Sequence, residues 1–269
     1  MTADTHPAAL PRPGTRPPRP IRRYAPLRAL LLAEAKLARR EPTALVFGIA
    51  LPLLILFVFG SVPSLNQPQQ NLGGISLMSA YQPIVIALIL AVFAFIAVPG
   101  PLAGYREQGV LRRMATTPVP PPRVLAAHLI VNFVSSLVSL ALVLVIGHFA
   151  YNTQLPRQVP GFALTYALAV VALFAMGLWI SAIARTGKIA QAVGAAFFYP
   201  MNFLGGLWVP RQEMSPVLRT VSDYSPLGAA VQALQDTIDG TFPPVRFLSV
   251  LVGYAAVFGY AAVRQFAWE

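Results

Sequence analysis

The sequence predicts an all-α integral membrane protein with six transmembrane helices, and both its composition and its hydropathy pattern indicate this class. Of the 269 residues, 56% are hydrophobic and only 11% are charged, whereas a soluble domain usually has about a quarter of charged residues. Apolar runs such as ALILAVFAFIAV continue without the alternation that a β-barrel strand requires. Because a helix satisfies its own backbone hydrogen bonds in lipid, we expect helices.

Six stretches are long enough to cross a bilayer, whose hydrocarbon core of roughly 30 Å needs about 20 apolar residues in a helix. Their approximate bounds are 43–62, 79–98, 124–149, 161–184, 189–209 and 246–263.

The basic residues predict that both termini are cytoplasmic, because Lys and Arg are in excess on that side of a membrane. Sixteen of the 20 lie before residue 43, in the loops after the second and fourth spans, or in the C-terminal tail. We therefore attribute the net charge of +11 to basic residues that set the orientation of the protein in the membrane. Aromatic residues are not interleaved with the basic ones, so we expect no nucleic-acid partner.

Residues 1–26 are rich in Pro and Arg and predict a disordered cytoplasmic tail drawn to anionic membrane lipid. A regulatory docking role is the alternative for this tail. The remaining residues, 27–269, form the predicted six-span domain.

Residues 27–41 predict an amphipathic helix on the inner membrane surface, with leucines on one face and basic residues such as Arg39 and Arg40 on another. Glu34 and Glu41 fall near the middle of the apolar face, where an unpaired carboxylate is unfavourable. We expect them to pair with an arginine of residues 105–113 or to extend toward the lipid headgroups.

The spans themselves offer no chemistry for ion coupling or for catalysis. Between their ends they carry no Asp, Glu, Lys or Arg apart from Arg246 at the edge of the last one, and ion-coupled carriers usually place such groups at mid-membrane. His128 and His148, near opposite ends of the third span, are expected to be structural. The sequence has no HExxH or GxSxG motif, so we predict no catalytic residue and no metal site.

The chain also lacks a phosphate-binding loop of the form G-x-x-x-x-G-K-[ST]. Its Gly-Lys pair, Gly187 and Lys188, has Ala182 at the first glycine position and Ile189 after the lysine. We therefore expect no cofactor on this chain and an energy source outside it.

A charged segment after the second span is the candidate entry point for that energy. Two prolines end the predicted span in VPGPLAG, the residues YREQGVLRRMA then favour a short surface helix, and TTPVPPP stops it. A stiff element held between two spans can transmit force, although most charged loops are simply solvated.

This segment resembles the cytoplasmic loop of type-2 ATP-binding-cassette (ABC) exporter permeases. The matching residues are Arg106, Glu107, Gly109, Leu111, Arg112, Thr117 and Pro118, with Val110 a mild departure. A second resemblance follows the fifth span, in the small turn of Gly205 and Gly206 and in three later proline positions. Gly228 and Asp236 depart from the pattern there.

The resemblance implies the membrane half of an exporter that is driven by a separate ATPase subunit, which binds ATP and Mg. It also implies a second permease chain, in a homodimer or a heterodimer. Residues 104–118 would be the coupling helix, with Arg106, Glu107, Arg112 and Arg113 at its polar rim, Gly109 within it, and Leu111 and Met114 in the ATPase groove.

The transport path is predicted near the fifth span, from Pro200, Asn202, Phe203 and Trp208. Aromatic side chains there suit a lipophilic substrate such as a drug, an antibiotic or a lipid-like compound. Residues 210–244 are long for a loop and predict an extracellular cap with short helices at 217–224 and 227–238.

Two other classes remain open at this level. One is an ion-coupled secondary transporter or channel, which the empty spans disfavour. The other is a membrane scaffold or enzyme without a transport role.

Overall fold

The computed structural model describes residues 31–36, 43–67, 76–110 and 122–265, and this part of the chain is helical. The helices are α1 (31–36), α2 (Thr43–Gly60), α3 (Leu77–Glu107), α4 (Pro122–Tyr151), α5 (Val159–Ile183), α6 (Gly187–Leu204), α7 (Pro216–Tyr224), α8 (Pro226–Ile238) and α9 (Val245–Gln265). Single turns at Pro63–Asn66 and Arg211–Glu213 lie between them.

Helix α3 is the centre of the bundle. It has 31 residues, and 89% of its most apolar stretch is buried, with Phe93 and Phe95 fully enclosed. Helices α2, α4, α5, α6 and α8 all pack against it. By contrast α4 and α9 bury only 28% and 17% of their apolar stretches, so most of their apolar surface is exposed.

Among the described residues, four helices, α3, α4, α5 and α9, are long and apolar enough to cross a membrane. This confirms an all-helical membrane protein. All six predicted spans correspond to helices, but α2 has a shorter apolar part, Val46–Gly60, and α6 carries the polar Lys188, Gln191 and Asn202. A crossing by α2 and by α6 stays a prediction.

The second span is predicted to end near Val98, whereas the helix itself continues for another nine residues through Pro99–Glu107. The residues Val92–Ala97 form a π-helical turn, after which the Val98 N–H bonds to the Phe93 carbonyl at 3.1 Å. The prolines that follow lie in the first turn of the continuing helix, where a backbone N–H has no partner to lose.

The sequence predicts a separate helix that begins at Tyr105. This predicted start is wrong, because Tyr105 belongs to the last turn of α3. The helix ends at Gln108 and Gly109, where Gly109 has a positive φ of 65°. That backbone conformation favours glycine. Residues 111–118 of the predicted coupling helix lie outside the described residues.

Two glycines let α5 and α6 pack directly onto the π turn. A Cβ at Gly177 would lie 2.2 Å from the Ala94 carbonyl oxygen, and one at Gly194 would lie 2.0 Å from that of Phe95. Only a residue without a side chain fits at such distances.

The helices predicted at 217–224 and 227–238 are confirmed as α7 and α8. Ser225 caps α8 by accepting a hydrogen bond from the Gly228 N–H at 3.0 Å. Helix α8 is deeply buried among α3, α5 and α9, with Leu227 and Leu234 almost inaccessible. It is therefore part of the core, and its role as an extracellular cap stays a prediction.

Candidate functional site

A buried polar cluster joins α1 to the ends of α3 and α4. The Glu34 carboxylate accepts hydrogen bonds from the Tyr105 hydroxyl at 2.9 and 3.0 Å, and it contacts Nδ1 of His128. Asn132, one helical turn beyond His128, lies 3.1 Å from its Nε2. Glu34, His128 and Asn132 are each less than a tenth exposed. We name these four residues the Glu34 junction.

The amide of Asn132 sets the proton positions in this junction. Its Nδ2 donates to the His128 carbonyl at 2.9 Å and also faces Nε2 of the same imidazole. Nε2 therefore acts as an acceptor, which leaves the proton of a neutral imidazole on Nδ1, facing Glu34. The Glu34 carboxyl group thus faces two polar partners, as a buried polar group requires.

Within the described part of the chain, Glu34 is bonded to Tyr105 and His128, 71 and 94 residues away, and not to Arg106. Its burial also differs from the expected extension toward the lipid headgroups, and the other two arginines of residues 105–113, Arg112 and Arg113, lie outside the described residues. Sequence reasoning missed both partners and Asn132. A signal was present, because a histidine and an asparagine one turn apart in an apolar span need polar partners. The expectation that His128 is structural agrees with its hydrogen bonds, and Glu41, Arg39 and Arg40 lie outside the described residues.

Arg106 and Glu107 hold the turn between α5 and α6. The Arg106 guanidinium donates to the carbonyls of Ala182, at 2.8 Å, and Ala184. Glu107 accepts a hydrogen bond from the Gly187 N–H at 2.9 Å. We name these five residues the 182–187 clamp.

The charges of the clamp match the two helix ends that it holds. The last carbonyls of α5 have no donor within their own helix and carry partial negative charge, which suits the arginine. The first N–H groups of α6 carry partial positive charge, which suits the glutamate. The two consecutive residues therefore cap one helix C-terminus and one helix N-terminus.

The other predicted coupling residues are placed only in part. Gly109 lies in the turn that ends α3. Leu111, Arg112, Arg113 and Met114 lie outside the described residues.

An apolar cavity of about 570 Å³ lies between α2, α3 and the end of α6. Its lining consists of Phe47, Leu51, Ile55, Phe59, Leu88, Val92, Ile96, Phe198, Tyr199, Leu207 and Trp208. The rings of Tyr199 and Trp208 stack with centroids 6.3 Å apart.

Of the four predicted path residues, Trp208 lines this cavity and the other three do not. The Asn202 side chain is 1% exposed and donates to the carbonyl of Phe198 on its own helix at 2.8 Å. Pro200 and Phe203 are on α6 but outside the lining.

A second cavity, of about 660 Å³, lies at the far end of α3 under the segment that leads to α8. Its lining includes Tyr81, Arg211, Glu213 and Asp239. Arg211 forms a two-pronged ion pair with Asp223, in which Nη2 and Oδ2 are 3.0 Å apart. The sequence did not single out this pair, since 12 residues separate its members and no motif joins them.

Near this cavity, burial raises the pKa of Asp236 above its usual range. The neighbouring Asp239 carboxylate raises it further, while Arg246 and Arg211 oppose the shift.

A bundle of long apolar helices that gathers polar contacts at helix ends is typical of a multi-pass membrane protein. A family described as ABC-2 type transporter matches residues 26–238. Because this match covers most of the chain, the protein belongs to the ABC-2 type transporter family. Comparison with curated proteins finds no match.

Membership defines the chain as a permease of the cell membrane. It is a multi-pass, non-catalytic membrane domain, and ATP hydrolysis belongs to a separate ATP-binding subunit with which such permeases pair. The resemblance that the loop residues indicated is thereby confirmed at the level of the family.

Proposed function

We propose that this chain is the permease subunit of an exporter that moves a lipophilic substrate out of the cytoplasm or the inner leaflet. The substrate class, a drug, an antibiotic or a lipid-like compound, rests on one observation. This is the cavity of about 570 Å³, whose eleven lining residues are aliphatic or aromatic. Ligand sites are mostly apolar with a few polar groups, and the Tyr199 hydroxyl and the Trp208 indole N–H supply such groups here.

The direction of transport and the coupling follow from the same proposal. Two permease chains, alike or unlike, pair in the membrane, and each docks one ATP-binding subunit through residues 104–118. ATP and Mg bind only in that subunit. Six helices cross the membrane with both termini in the cytoplasm, and residues 210–244 cap the exit.

Inside-out vesicles that hold the chain with its copurifying ATP-binding subunit test this proposal. We expect ATP to drive accumulation of ethidium or transfer of an NBD-labelled phosphatidylcholine, and we expect Trp208→Ala to raise the KM of the transported probe. Val263→Ala is the control, because Val263 is 80% exposed and lies on α9, away from the cavity.

Two outcomes would contradict the proposal. The first is an absence of ATP-driven movement of both probes while the complex hydrolyses ATP. The second is movement that persists without the ATP-binding subunit and collapses with the proton gradient, which would support an ion-coupled carrier.

A further inference from the structure

A narrow apolar groove lies between α7 and α9, apart from both cavities described above. It has a volume of about 360 Å³. Its lining consists of Tyr224 on α7 and, on α9, Val250, Gly253, Tyr254, Val257 and Phe258. None of these residues lines the apolar cavity or the second cavity. The groove is therefore separate from the site proposed for the transported substrate.

Gly253 opens this groove along α9. A Cβ at Gly253 would meet no atom within 4 Å, so the space beside the helix backbone is free. The rings of Tyr254 and Phe258, one turn apart, are nearly parallel, with 3° between their planes. The groove thus presents flat apolar surfaces, which favour contact with hydrocarbon.

Helix α7 turns its polar side toward the protein and its apolar side outward. The Ser222 hydroxyl donates to a carbonyl of α6 at 2.6 Å, and Asp223 pairs with Arg211. Val221 and Tyr224 are instead 50% and 68% exposed. A helix at a water-facing surface has the opposite arrangement. The environment beside the groove is therefore lipid, as it is for an interfacial helix.

Arg246 supplies a positive charge beyond one end of the groove. It is exposed and lies one helical turn before Val250, with its guanidinium 4.4 Å from the centre of the Phe247 ring. Among the described residues it belongs to no ion pair, although its charge opposes the raised pKa of Asp236. An arginine binds phosphate oxygens through two parallel hydrogen bonds, so Arg246 suits an anionic headgroup.

The length of α9 places Arg246 at the level of the headgroups. Arg246 and Arg264 lie near opposite ends of this helix, about 27 Å apart along its axis at 1.5 Å per residue. The hydrocarbon core is roughly 30 Å thick. The groove begins about 6 Å inward from Arg246 and continues for about 12 Å. A phosphate at Arg246 and a chain in the groove are therefore in the order that a phospholipid requires.

The width of the groove distinguishes a lipid chain from a partner helix. A volume of about 360 Å³ over a length of about 12 Å gives a mean cross-section of roughly 30 Å². A helix with its side chains is at least about 10 Å in diameter, and its cross-section is therefore more than twice as large. The groove fits a single hydrocarbon chain better than it fits a helix.

We infer that the groove between α7 and α9 binds an anionic phospholipid, whose phosphate pairs with Arg246 and one of whose acyl chains occupies the groove. By the predicted topology this lipid belongs to the outer leaflet. It bridges α7 and α9. The inference needs only that the chain is a multi-pass membrane protein, and it does not rest on export.

The headgroup contact is tested by comparing two lipids with the same acyl chains. Native mass spectrometry of the delipidated full chain gives the affinity for palmitoyl-oleoyl phosphatidylglycerol, which is anionic, and for the corresponding phosphatidylcholine, which is zwitterionic. Arg246→Gln removes the charge at the groove. Arg264→Gln is the matched control, because Arg264 also lies over an aromatic ring, that of Tyr260 at 5.3 Å, but at the other end of α9.

The chain contact is tested by filling the groove. Gly253→Leu places an aliphatic side chain in space that is open, so we expect the protein to fold and to melt at the wild-type temperature without lipid. Gly259→Leu is the matched control. A Cβ at Gly259 also meets nothing within 4 Å, and this residue does not line the groove.

We expect the wild type to bind phosphatidylglycerol about tenfold more tightly than phosphatidylcholine, the ratio expected for one charge-assisted contact. Arg246→Gln should remove this preference and leave the affinity for phosphatidylcholine unchanged. Gly253→Leu should weaken both lipids by a similar factor, because it blocks the chain that they share. Both controls should match the wild type.

Three results would overturn the inference. Equal affinities of the wild type for the two lipids, or a preference that survives Arg246→Gln, would exclude the headgroup contact. Unchanged affinities in Gly253→Leu would exclude the chain contact. The third is a protein occupant. The chain has no native cysteine, so oxidative cross-linking of Val257→Cys in membranes, at a side chain 63% exposed, would show that a second copy covers the groove.

Discussion

Glu107 joins the end of α3 to the start of α6 through one hydrogen bond to the Gly187 N–H. We predict that Glu107→Ala inserts and folds, since an exposed hydrogen bond contributes only about 0.5–1.5 kcal/mol. Transport per ATP should nevertheless fall, because α6 no longer follows α3. ATP hydrolysis and ethidium uptake measured on the same vesicles check this.

Glu107→Gln is the control for this substitution, because its amide oxygen can still accept the bond and should restore part of the transport. Arg112→Glu, at a residue outside the described part, is expected to uncouple in the same way by repelling the docked subunit. Unchanged export in both Glu107→Ala and Arg112→Glu would contradict the coupling role of this segment.

Asp236 gives a prediction about pH. Its pKa is raised in the folded protein, mainly by burial. The native state therefore binds this proton more readily than the unfolded chain does. The contribution of Asp236 to stability is fully present below the unfolded pKa and is lost as the pH rises through the folded value. We expect Asp236→Asn to raise the Tm at neutral pH, with a difference that shrinks toward pH 4, near the ordinary Asp pKa of about 3.9.

Asp223→Asn replaces a carboxylate by an amide in the same way, but we expect it to change the Tm in the opposite direction. Asp223 pairs with Arg211 through both of its oxygens, so removing its charge should lower the Tm at neutral pH. Thermal melts of the two variants in one detergent compare them. Equal shifts of the same sign would contradict the raised pKa of Asp236.

At the residue scale the sequence predicts which groups need a partner, but not what the partner is. The burial of Glu34 and its need for a donor follow from its place on the apolar face of a local helix. Its donors come from positions 71 and 94 residues away, and only the packing of α1 on α3 and α4 brings them together. The 182–187 clamp was not predicted because its partners are backbone groups, which any sequence possesses.

At the scale of the helices, the contact of α6 with the π turn gives a stability prediction. A Cβ at Gly194 would lie 2.0 Å from the Phe95 carbonyl oxygen, and that oxygen belongs to a backbone that is packed on several sides. Gly194→Ala should therefore destabilise the protein by at least about 1–3 kcal/mol, the usual effect of overpacking. The midpoint of denaturation in mixed micelles measures this.

Gly253→Ala is the matched control, because a Cβ at Gly253, in the middle of α9, meets nothing within 4 Å. Alanine is favoured over glycine in a helix by roughly 0.5–1 kcal/mol, so this variant should be neutral or slightly more stable. A Gly194→Ala protein as stable as Gly253→Ala would mean that α6 can move off the π turn at little cost.

Hydropathy predicts the helices well because length and apolarity are local properties. Each of the six predicted stretches contains a helix, and the two short helices near 217 and 227 begin where expected, after Ser-Pro pairs. The continuation of α3 past Pro99 was not predicted, since a proline by itself indicates a helix end. The π turn before Pro99 allows the helix to continue, and contacts of the last α3 turn stabilise it. Neither feature can be predicted from the local sequence.

For the molecule as a whole, the unequal burial of the helices indicates how the bundle is used. Helix α3 is enclosed by its neighbours, whereas α4 and α9 leave most of their apolar surface exposed. The apolar cavity lies on the side of α3 where α2 and α6 pack, and the start of α6 is tied to the end of α3 by the hydrogen bond between Glu107 and the Gly187 N–H. A change at that end can therefore alter the cavity without repacking α9.

The predicted topology is the property on which this arrangement depends, and the absence of native cysteines makes it directly testable. Arg185 follows α5 and Val217 follows α6, and both side chains are exposed. If α6 crosses the membrane, Arg185→Cys should react with an impermeant maleimide only in inside-out vesicles, and Val217→Cys only in right-side-out vesicles. Arg264→Cys, in the last turn of α9, should behave like Arg185→Cys, because 16 of the 20 basic residues are predicted on that side. Labelling of Arg185→Cys and Val217→Cys from the same side would mean that α6 dips into the membrane and returns, and the six-span proposal would then be wrong.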